Sequence, residues 1–146
     1  MSTPPAEWDR PRPHVIALDV TEGDIDEYQH VNNAVYLTWL DQAAWSHSAR
    51  LGISLSECVR IRRGMAAHRT EIDYLRAAFR GDHVEVATWI TATDAKLRVE
   101  RHFQVRRIAD RETLARARTA YVCINLDSGR AARMPESFVR AYLVSI

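Results

Sequence analysis

The segment from position 33 to position 51 constrains the fold of this chain more than any other. It reads NAVYLTWLDQAAWSHSARL and is followed by Gly52, a residue common at the left-handed position that ends a helix. Apolar side chains cover most of the circumference of this helix, and Thr38, Asp41 and Gln42 form a narrow polar arc. A helix with this distribution is buried by other parts of its protein. The sequence therefore predicts one long helix enclosed by the rest of the fold.

The segments on both sides of this helix alternate between apolar and polar residues, which is typical of strands. One such segment, 14–21, precedes the helix, and four follow it at hairpin spacing: 69–74, 83–90, 97–105 and 114–126. We expect a leader over 1–13, a short closing helix over 135–146, and a single domain over 1–146. The predicted fold class is α+β, with one antiparallel sheet of about five strands wrapped around the long helix.

The composition excludes several classes of protein. The chain has 146 residues, 47% of them hydrophobic and 27% charged, as in an ordinary globular domain. A formal net charge of +1 gives no reason to expect a nucleic-acid partner or a membrane surface. The two cysteines predict neither a disulfide framework nor a zinc site. Without a signal peptide or a run of transmembrane length, we expect a cytoplasmic protein.

A cluster of polar residues stands immediately before the long helix. Residues 24–33 read DIDEYQHVNN. Acids and asparagines before a helix are common as caps and as partners of the helix dipole. The same residue types also suit catalysis, because a carboxylate can act as a general base or a nucleophile. The unsatisfied N–H groups of a first helical turn can hold an oxyanion without a metal.

The segment DIDEYQHVNNAVYLTWLDQAAW, residues 24–45, resembles the motif of hotdog-fold acyl-thioesterases. It is most similar to the 4-hydroxybenzoyl-CoA thioesterase-like family, in particular its bacterial long-chain acyl-CoA thioesterase branch. The segment YLRAAFRGDHVEVATWI, residues 74–90, resembles the next landmark of that family. The resemblance extends over about residues 14–127. It implies the hotdog fold and the hydrolysis of a medium-to-long-chain acyl-CoA to free acid and CoA.

The same resemblance implies roles for three residues of the polar cluster. Asp26 matches the catalytic carboxylate, His30 matches the motif histidine, and Asn33 stands where a backbone N–H holds the thioester oxygen. Related plant enzymes carry an asparagine midway between acid and histidine, where this chain has Tyr28. This departure agrees better with the acyl-CoA branch. Asp24 is expected to shape the turn, and His30 is as readily a structural histidine as a catalytic one.

The resemblance also suggests substrate-binding residues. The segment DAKLR lies near a CoA-contacting position of the family, which makes Lys96 and Arg98 candidates for binding the CoA phosphates, with a solvated turn as the alternative. Trp39 is a candidate for the acyl pocket, although core packing is the commoner role of such a residue. We expect no metal and no cofactor. A homodimer or homotetramer is expected, because pairing would cover sheet edges and the family places its sites between subunits.

Two alternatives to this function stay open at this point. The first is an acyl-carrier-protein thioesterase, which would cleave the same bond in a different carrier. The second is a non-catalytic hotdog protein that binds acyl-CoA or acts as a scaffold.

Overall fold

The computed structural model describes residues 8–143 and contains five strands and three helices within that range. In chain order these are β1 (His14–Asp19), α1 (Asn33–Arg50), α2 (Leu55–Ile61), β2 (Arg63–Tyr74), β3 (His83–Thr93), β4 (Arg98–Arg107), β5 (Thr113–Asn125) and α3 (Glu136–Ala141). The strands form one antiparallel sheet in the order β1-β3-β4-β5-β2. The expected α+β fold with a five-stranded antiparallel sheet is confirmed.

Helix α1 packs lengthwise across one face of this sheet. Its buried side chains meet apolar residues of the central strands in one core cluster, which includes Tyr36, Trp39, Leu40, Ala43, Val84, Val86, Phe103, Val105 and Leu114. The opposite side of the helix is open in a single chain. Leu37 and Trp45 are 49% and 43% exposed. The sheet of one chain therefore covers one side of the helix and leaves the other side exposed.

Helix α2 was not expected from the sequence. Ser54 caps it, since its hydroxyl oxygen accepts a hydrogen bond from the Glu57 N–H at 3.2 Å. The signal for this helix was present as a serine followed three residues later by a glutamate. The closing helix α3 is shorter than the predicted range of 135–146, whose last three residues lie outside the described part of the chain.

Part of the face of the sheet away from α1, over β3 and β4, is covered by residues of the expected leader. The guanidinium of Arg106 lies over the Trp8 ring at 3.8 Å from its centre and pairs with Glu85 at 2.9 Å. The Trp8 ring also meets the ring of Trp89 edge-on, and the Trp89 indole N–H donates to the Pro11 carbonyl at 3.0 Å. Residues 1–7 of the leader lie outside the described range. Residues 8–12 thus belong to the folded domain.

None of the helices between residues 8 and 143 is both long and apolar enough to cross a membrane.

Candidate active site

The polar loop before α1 is held in place first by Asp24. One of its carboxylate oxygens accepts hydrogen bonds from the Thr21 N–H and hydroxyl at 2.8 and 3.0 Å. Its backbone carbonyl accepts the Asn32 N–H at 2.8 Å. These contacts close a short 3₁₀ turn over Glu22–Asp24 and join it to the residue that caps α1. In this chain the Asp24 carboxylate is thus occupied in shaping the turn.

Asp26 and His30 are the two ends of a tight loop. The Asp26 N–H donates to the His30 carbonyl at 2.9 Å, and the Gln29 N–H donates to the Asp26 carbonyl at 3.0 Å. Gln29 itself adopts a left-handed conformation with φ of 64°. The Oδ1 atom of half-buried Asp26 accepts the Tyr28 N–H at 2.9 Å. Its other carboxylate oxygen has no hydrogen-bond partner within residues 8–143, so it is available to a reactant.

The first turn of α1 begins directly after this loop. Asn32 is the N-cap, and its side-chain oxygen accepts the Ala34 N–H at 2.9 Å. Asn33 is the first helical residue, and its carbonyl accepts the Tyr74 hydroxyl at 3.0 Å. No residue in the described part of the chain accepts the Asn33 N–H. Such an N–H, at the positive end of the helix dipole, can donate to an oxyanion.

His30 and Asn33 line one cleft at this end of the helix. The cleft also contains Tyr36, Tyr74 and residues 75–77. The exposed His30 ring meets the Phe79 ring edge-on, with their centres 5.3 Å apart. Asp26 does not line the cleft in a single chain. Its backbone N–H donates to the carbonyl of His30, which does line the cleft. The structure therefore brings two of the three expected catalytic residues together and places the third beside them.

Lys96 and Arg98 lie at the other end of the sheet, Lys96 in the turn between β3 and β4 and Arg98 as the first residue of β4. Asp94 holds this turn, since its carboxylate accepts backbone N–H groups of residues 96, 97 and 98 at 2.8–2.9 Å. These bonds lower the pKa of Asp94 to about 2. Arg98 pairs with Val122 on β5, whereas Tyr74, next to Asn33, pairs with Ala115. Ala115 and Val122 are seven residues apart on β5, which is roughly 23 Å. Within one chain, Arg98 and the cleft at Asn33 are therefore far apart.

Trp39 is a core residue in this structure. Its side chain is 4% exposed, and its ring lies 4.9 Å from that of Tyr36. Trp45, six residues later on α1, lines a cavity that Trp39 does not reach. Packing in the core is thus the role in which the structure places Trp39.

This cavity lies beside the second half of α1 and was not anticipated from the sequence. Its volume is about 270 Å³, and it is lined by residues of α1, α2, β2, β4 and β5 together with Tyr142, namely Asp41, Ala44, Trp45, Ser48, Cys58, Met65, Ala67, Val99, Arg101, Tyr121 and Tyr142. Arg101 interrupts the apolar side of β4 in the sequence. That interruption was the one available signal for a polar group inside the fold.

Arg101 is 2% exposed and bonds to the end of α1. Its Nη1 group donates to His47 Nδ1 at 2.7 Å, and its Nη2 group donates to Ser48 Oγ at 3.0 Å. Burial, followed by the charge of Arg101, lowers the pKa of His47 to about 3. His47 is therefore neutral at physiological pH. Burial also raises the pKa of Tyr121 in the cavity wall to about 12, so this phenol keeps its proton.

No group of three or more His, Cys, Asp or Glu side chains within residues 8–143 is arranged to hold a metal ion.

Comparison with known proteins adds a family and a fold. Residues 20–142 match the model of the thioesterase-like superfamily. A 1,4-dihydroxy-2-naphthoyl-CoA thioesterase from Synechocystis is 23% identical, with 90% of this chain and 96% of that chain covered and a TM-score of 0.81. A Staphylococcus aureus protein solved in complex with CoA is 22% identical, with 89% and 81% covered and a TM-score of 0.82. A probable thioesterase from Escherichia coli is 23% identical, with 88% and 95% covered and a TM-score of 0.73. These likenesses show the hotdog fold.

Proposed function

Because this chain belongs to the thioesterase-like superfamily, we propose that it hydrolyses the thioester of an acyl-CoA, with Asp26, His30 and Asn33 as its catalytic residues. The observation that supports these roles most directly is the junction between the polar loop and α1. There a carboxylate with one uncommitted oxygen precedes a helix start whose first N–H has no acceptor in the described chain. A base or nucleophile and an oxyanion donor are the two groups that thioester hydrolysis requires.

In this mechanism each of the three residues has a separate role. Asp26 either takes a proton from water as it attacks the thioester carbon or attacks that carbon itself, which gives a mixed anhydride for water to open. The Asn33 N–H donates to the carbonyl oxygen as negative charge develops on it. His30 forms a wall of the cleft and holds Asp26 through the backbone hydrogen bond between them. The carbon–sulfur bond breaks and CoA leaves as a thiolate, which takes the proton that Asp26 accepted from water in the first route or a proton from solvent in the second. The acid is then released.

The acyl group is proposed to be medium-to-long and aliphatic. A line of side chains one helical turn apart on α1, including Leu37, Asp41 and Trp45, borders two neighbouring depressions between the helix and the strands β2 and β5. The depressions share Asp41, Ala67 and Tyr121, so together they form one groove along the helix. The groove follows α1 from Leu37 to Trp45, which is about two helical turns, and this suits an extended acyl chain.

An aromatic acyl-CoA is the second candidate. Two phenols, Tyr121 and Tyr142, and the indole of Trp45 surround the cavity at the inner end of the groove. Aromatic rings stack well on such side chains. The similar Synechocystis protein is a thioesterase for a naphthoyl-CoA, which also favours this candidate.

We propose a homodimer or homotetramer as the active form, located in the cytoplasm. Leu37 and Trp45 are exposed on the open side of α1, and β2 is an edge strand of the sheet. A second copy could cover both features. It could also bring its Lys96 and Arg98 to the Asn33 cleft, which one chain cannot do.

A panel of thioesters tests the proposed function. Purified protein is incubated with aliphatic acyl-CoAs of increasing length, with aromatic acyl-CoAs and with an acyl-acyl-carrier protein, and free thiol is measured with a thiol-reactive dye. Turnover of a CoA ester that is lost in Asp26→Asn supports the proposal. Binding of every ester without turnover would identify a non-catalytic acyl-CoA-binding protein, and preference for the carrier-protein ester would identify the alternative enzyme.

A further inference from the structure

Arg101 is a buried cation that has no anionic partner in the described chain. It donates to the neutral groups of His47, Ser48 and, at 3.5 Å, Thr88, and the neutral phenol of Tyr142 also interacts with it. No carboxylate of residues 8–143 lies within ion-pair distance of its guanidinium, although eleven ion pairs between other arginines and carboxylates are present in that range. Burying a charge is costly unless an opposite charge or several strong hydrogen bonds compensate it.

Two features compensate this charge only in part. The guanidinium lies near the carboxyl end of α1, where the helix dipole contributes roughly half a negative charge. The ring of Tyr142 lies 5.8 Å from the guanidinium carbon, at the outer limit of a cation–π contact. Burial still lowers the pKa of Arg101 below its ordinary value. Within residues 8–143, neutral hydrogen-bond acceptors, the helix end and an aromatic ring surround this charge, and none of them carries a full negative charge.

The cavity beside Arg101 has the shape and lining to admit such a charge. Its opening carries the exposed residues Asp41 and Trp45, whereas Arg101 and Ser48 are buried at its inner end. Most of the remaining lining is apolar, with Ala44, Met65, Val99 and others. A ligand that fits this arrangement has an apolar body and one anionic end. The Ser48 position is about 22 Å along α1 from Asn33, so in one chain this site is distinct from the catalytic cleft.

We propose that the cavity binds the carboxylate of an amphipathic acid and that Arg101 pairs with it. The planar guanidinium suits a carboxylate, and its fixed fork favours two parallel hydrogen bonds. The carboxylate has two possible sources. It can be the distal carboxylate of an acyl group that is joined to CoA at its other end, or it can be that of a free acid such as the reaction product.

Calorimetry with simple probes tests the site independently of turnover. Octanoate is titrated into the full-length protein, and octanol, which has the same chain length without the charge, serves as the neutral probe. We expect octanoate to bind at least about tenfold more tightly than octanol, because a hydrogen bond to a charged group is stronger than a neutral one. In Arg101→Gln this preference should disappear, and in Arg101→Lys it should be reduced, since lysine keeps the charge but not the fork.

A second variant covers the case in which Arg101→Gln does not fold. Ala67→Phe places a ring in the cavity from an exposed position on β2 and leaves Arg101 and its partners untouched. It should block octanoate binding while the melting temperature stays near that of the unmodified protein. Equal affinity for octanoate and octanol in the unmodified protein would overturn the proposal. So would full octanoate binding in folded Arg101→Gln or in Ala67→Phe.

Steady-state kinetics then separates the two sources. A higher kcat/KM for a CoA monothioester of a dicarboxylic acid than for the methyl-ended ester of equal length, abolished in Arg101→Gln, assigns the carboxylate to the substrate. Inhibition by octanoate without such a preference assigns it to the free acid. Octanoate binding in a protein that hydrolyses no ester would uphold this site and refute the proposed activity, so the two failures are distinguishable.

Discussion

Arg101 on β4 donates through Nη1 to Nδ1 of His47 on α1 at 2.7 Å. This hydrogen bond requires an unprotonated Nδ1, so the hydrogen of the neutral imidazole is on Nε2. The ring of His47 stacks on that of His14 with their centres 5.0 Å apart. Burial, followed by the charges of Arg50 and Arg101, also lowers the pKa of His14. A proton on either ring would face positive charges, and this has a measurable consequence.

The free energy of unfolding should decrease as the pH falls below about 6.5. His47 has a folded-state pKa of about 3 and an unfolded-state value near 6.5, so in this range the unfolded chain binds a proton that the folded chain does not. The contribution of neutral His47 to the free energy of unfolding is complete above pH 6.5. At pH 5 the free energy of unfolding should have fallen by about 2 kcal/mol. His14 acts in the same direction. Urea denaturation at pH 7.5, 6 and 5 measures how the free energy of unfolding changes with pH.

His47→Gln is the matched control for this pH dependence. Glutamine retains an oxygen that can accept from Arg101 but has no proton to gain between pH 5 and 7.5. The variant should be less pH-dependent than the unmodified protein over this range. An unchanged slope would show that His47 does not carry the effect.

Asp26→Asn should lower kcat by at least about 10²-fold, the lower limit for loss of a general base. The asparagine oxygen can still accept the Tyr28 N–H, so the loop should keep its shape. KM should change little. Asp24→Asn is the comparison variant, and it should retain most of the activity while losing some stability at the turn with Thr21. Near-normal turnover in a folded Asp26→Asn variant would show that this acid is not the catalytic one.

Asn33→Pro should remove the proposed oxyanion donor without breaking α1. Proline is well accepted at the first position of a helix, where its missing N–H has no partner within the helix. Asn32 has φ of −59° and ψ of 136°, which suits a residue before proline. We expect kcat to fall by about 10²–10³-fold. Asn33→Ala keeps the N–H and should keep the activity, so equal kinetics of the two variants would exclude the backbone donor.

Replacing Lys96 and Arg98 together by alanine should raise KM for acyl-CoA and leave kcat nearly unchanged. The turn itself should persist, because Asp94 holds it through backbone N–H groups. The effect should weaken at high salt, as expected for contacts with phosphate. An unchanged KM at low salt would assign both side chains to a solvated turn.

Trp8→Ala should destabilise the domain by about 1–3 kcal/mol, from the lost cation–π contact and aromatic pair. Thermal or urea unfolding measures this loss. Arg10→Ala, two residues further along at an exposed position, should change the stability by less than about 0.5 kcal/mol. Equal stability of the two variants would mean that the Trp8 contacts do not hold the segment on the sheet.

Apart from α2, the order of the helices and strands could be predicted, because each of these elements has its own periodicity. The long helix was expected from Asn33 or Ala34 to Leu51 and is found over Asn33–Arg50, with Gly52 at φ of 92° after it. The membership of a thioesterase family, expected from DIDEYQHVNN, is confirmed by the family match. Local signals were sufficient in these cases because helix ends and motifs depend on neighbours in the chain.

The cavity could not be predicted in this way. Its wall joins residues from five elements, and only their pairing in the sheet brings Met65, Arg101 and Tyr121 to the same place. The roles of Trp39 and Trp45 differ for a similar reason. Both tryptophans fit the pattern of an apolar helix equally well. Which of them points into the core and which into the cavity depends on how α1 is rotated on the sheet.

The segment over residues 8–12 has a further consequence for how copies of this chain can assemble. It covers Trp89 and the pair of Arg106 with Glu85, so over this part of β3 and β4 the outer surface of the sheet is formed by the segment rather than by the strands. A second sheet that approached this part of the outer face would meet the segment before it met β3 and β4. We therefore expect copies of this chain to associate through the edge strands or through the helix side, and the five residues of this segment favour that direction of growth.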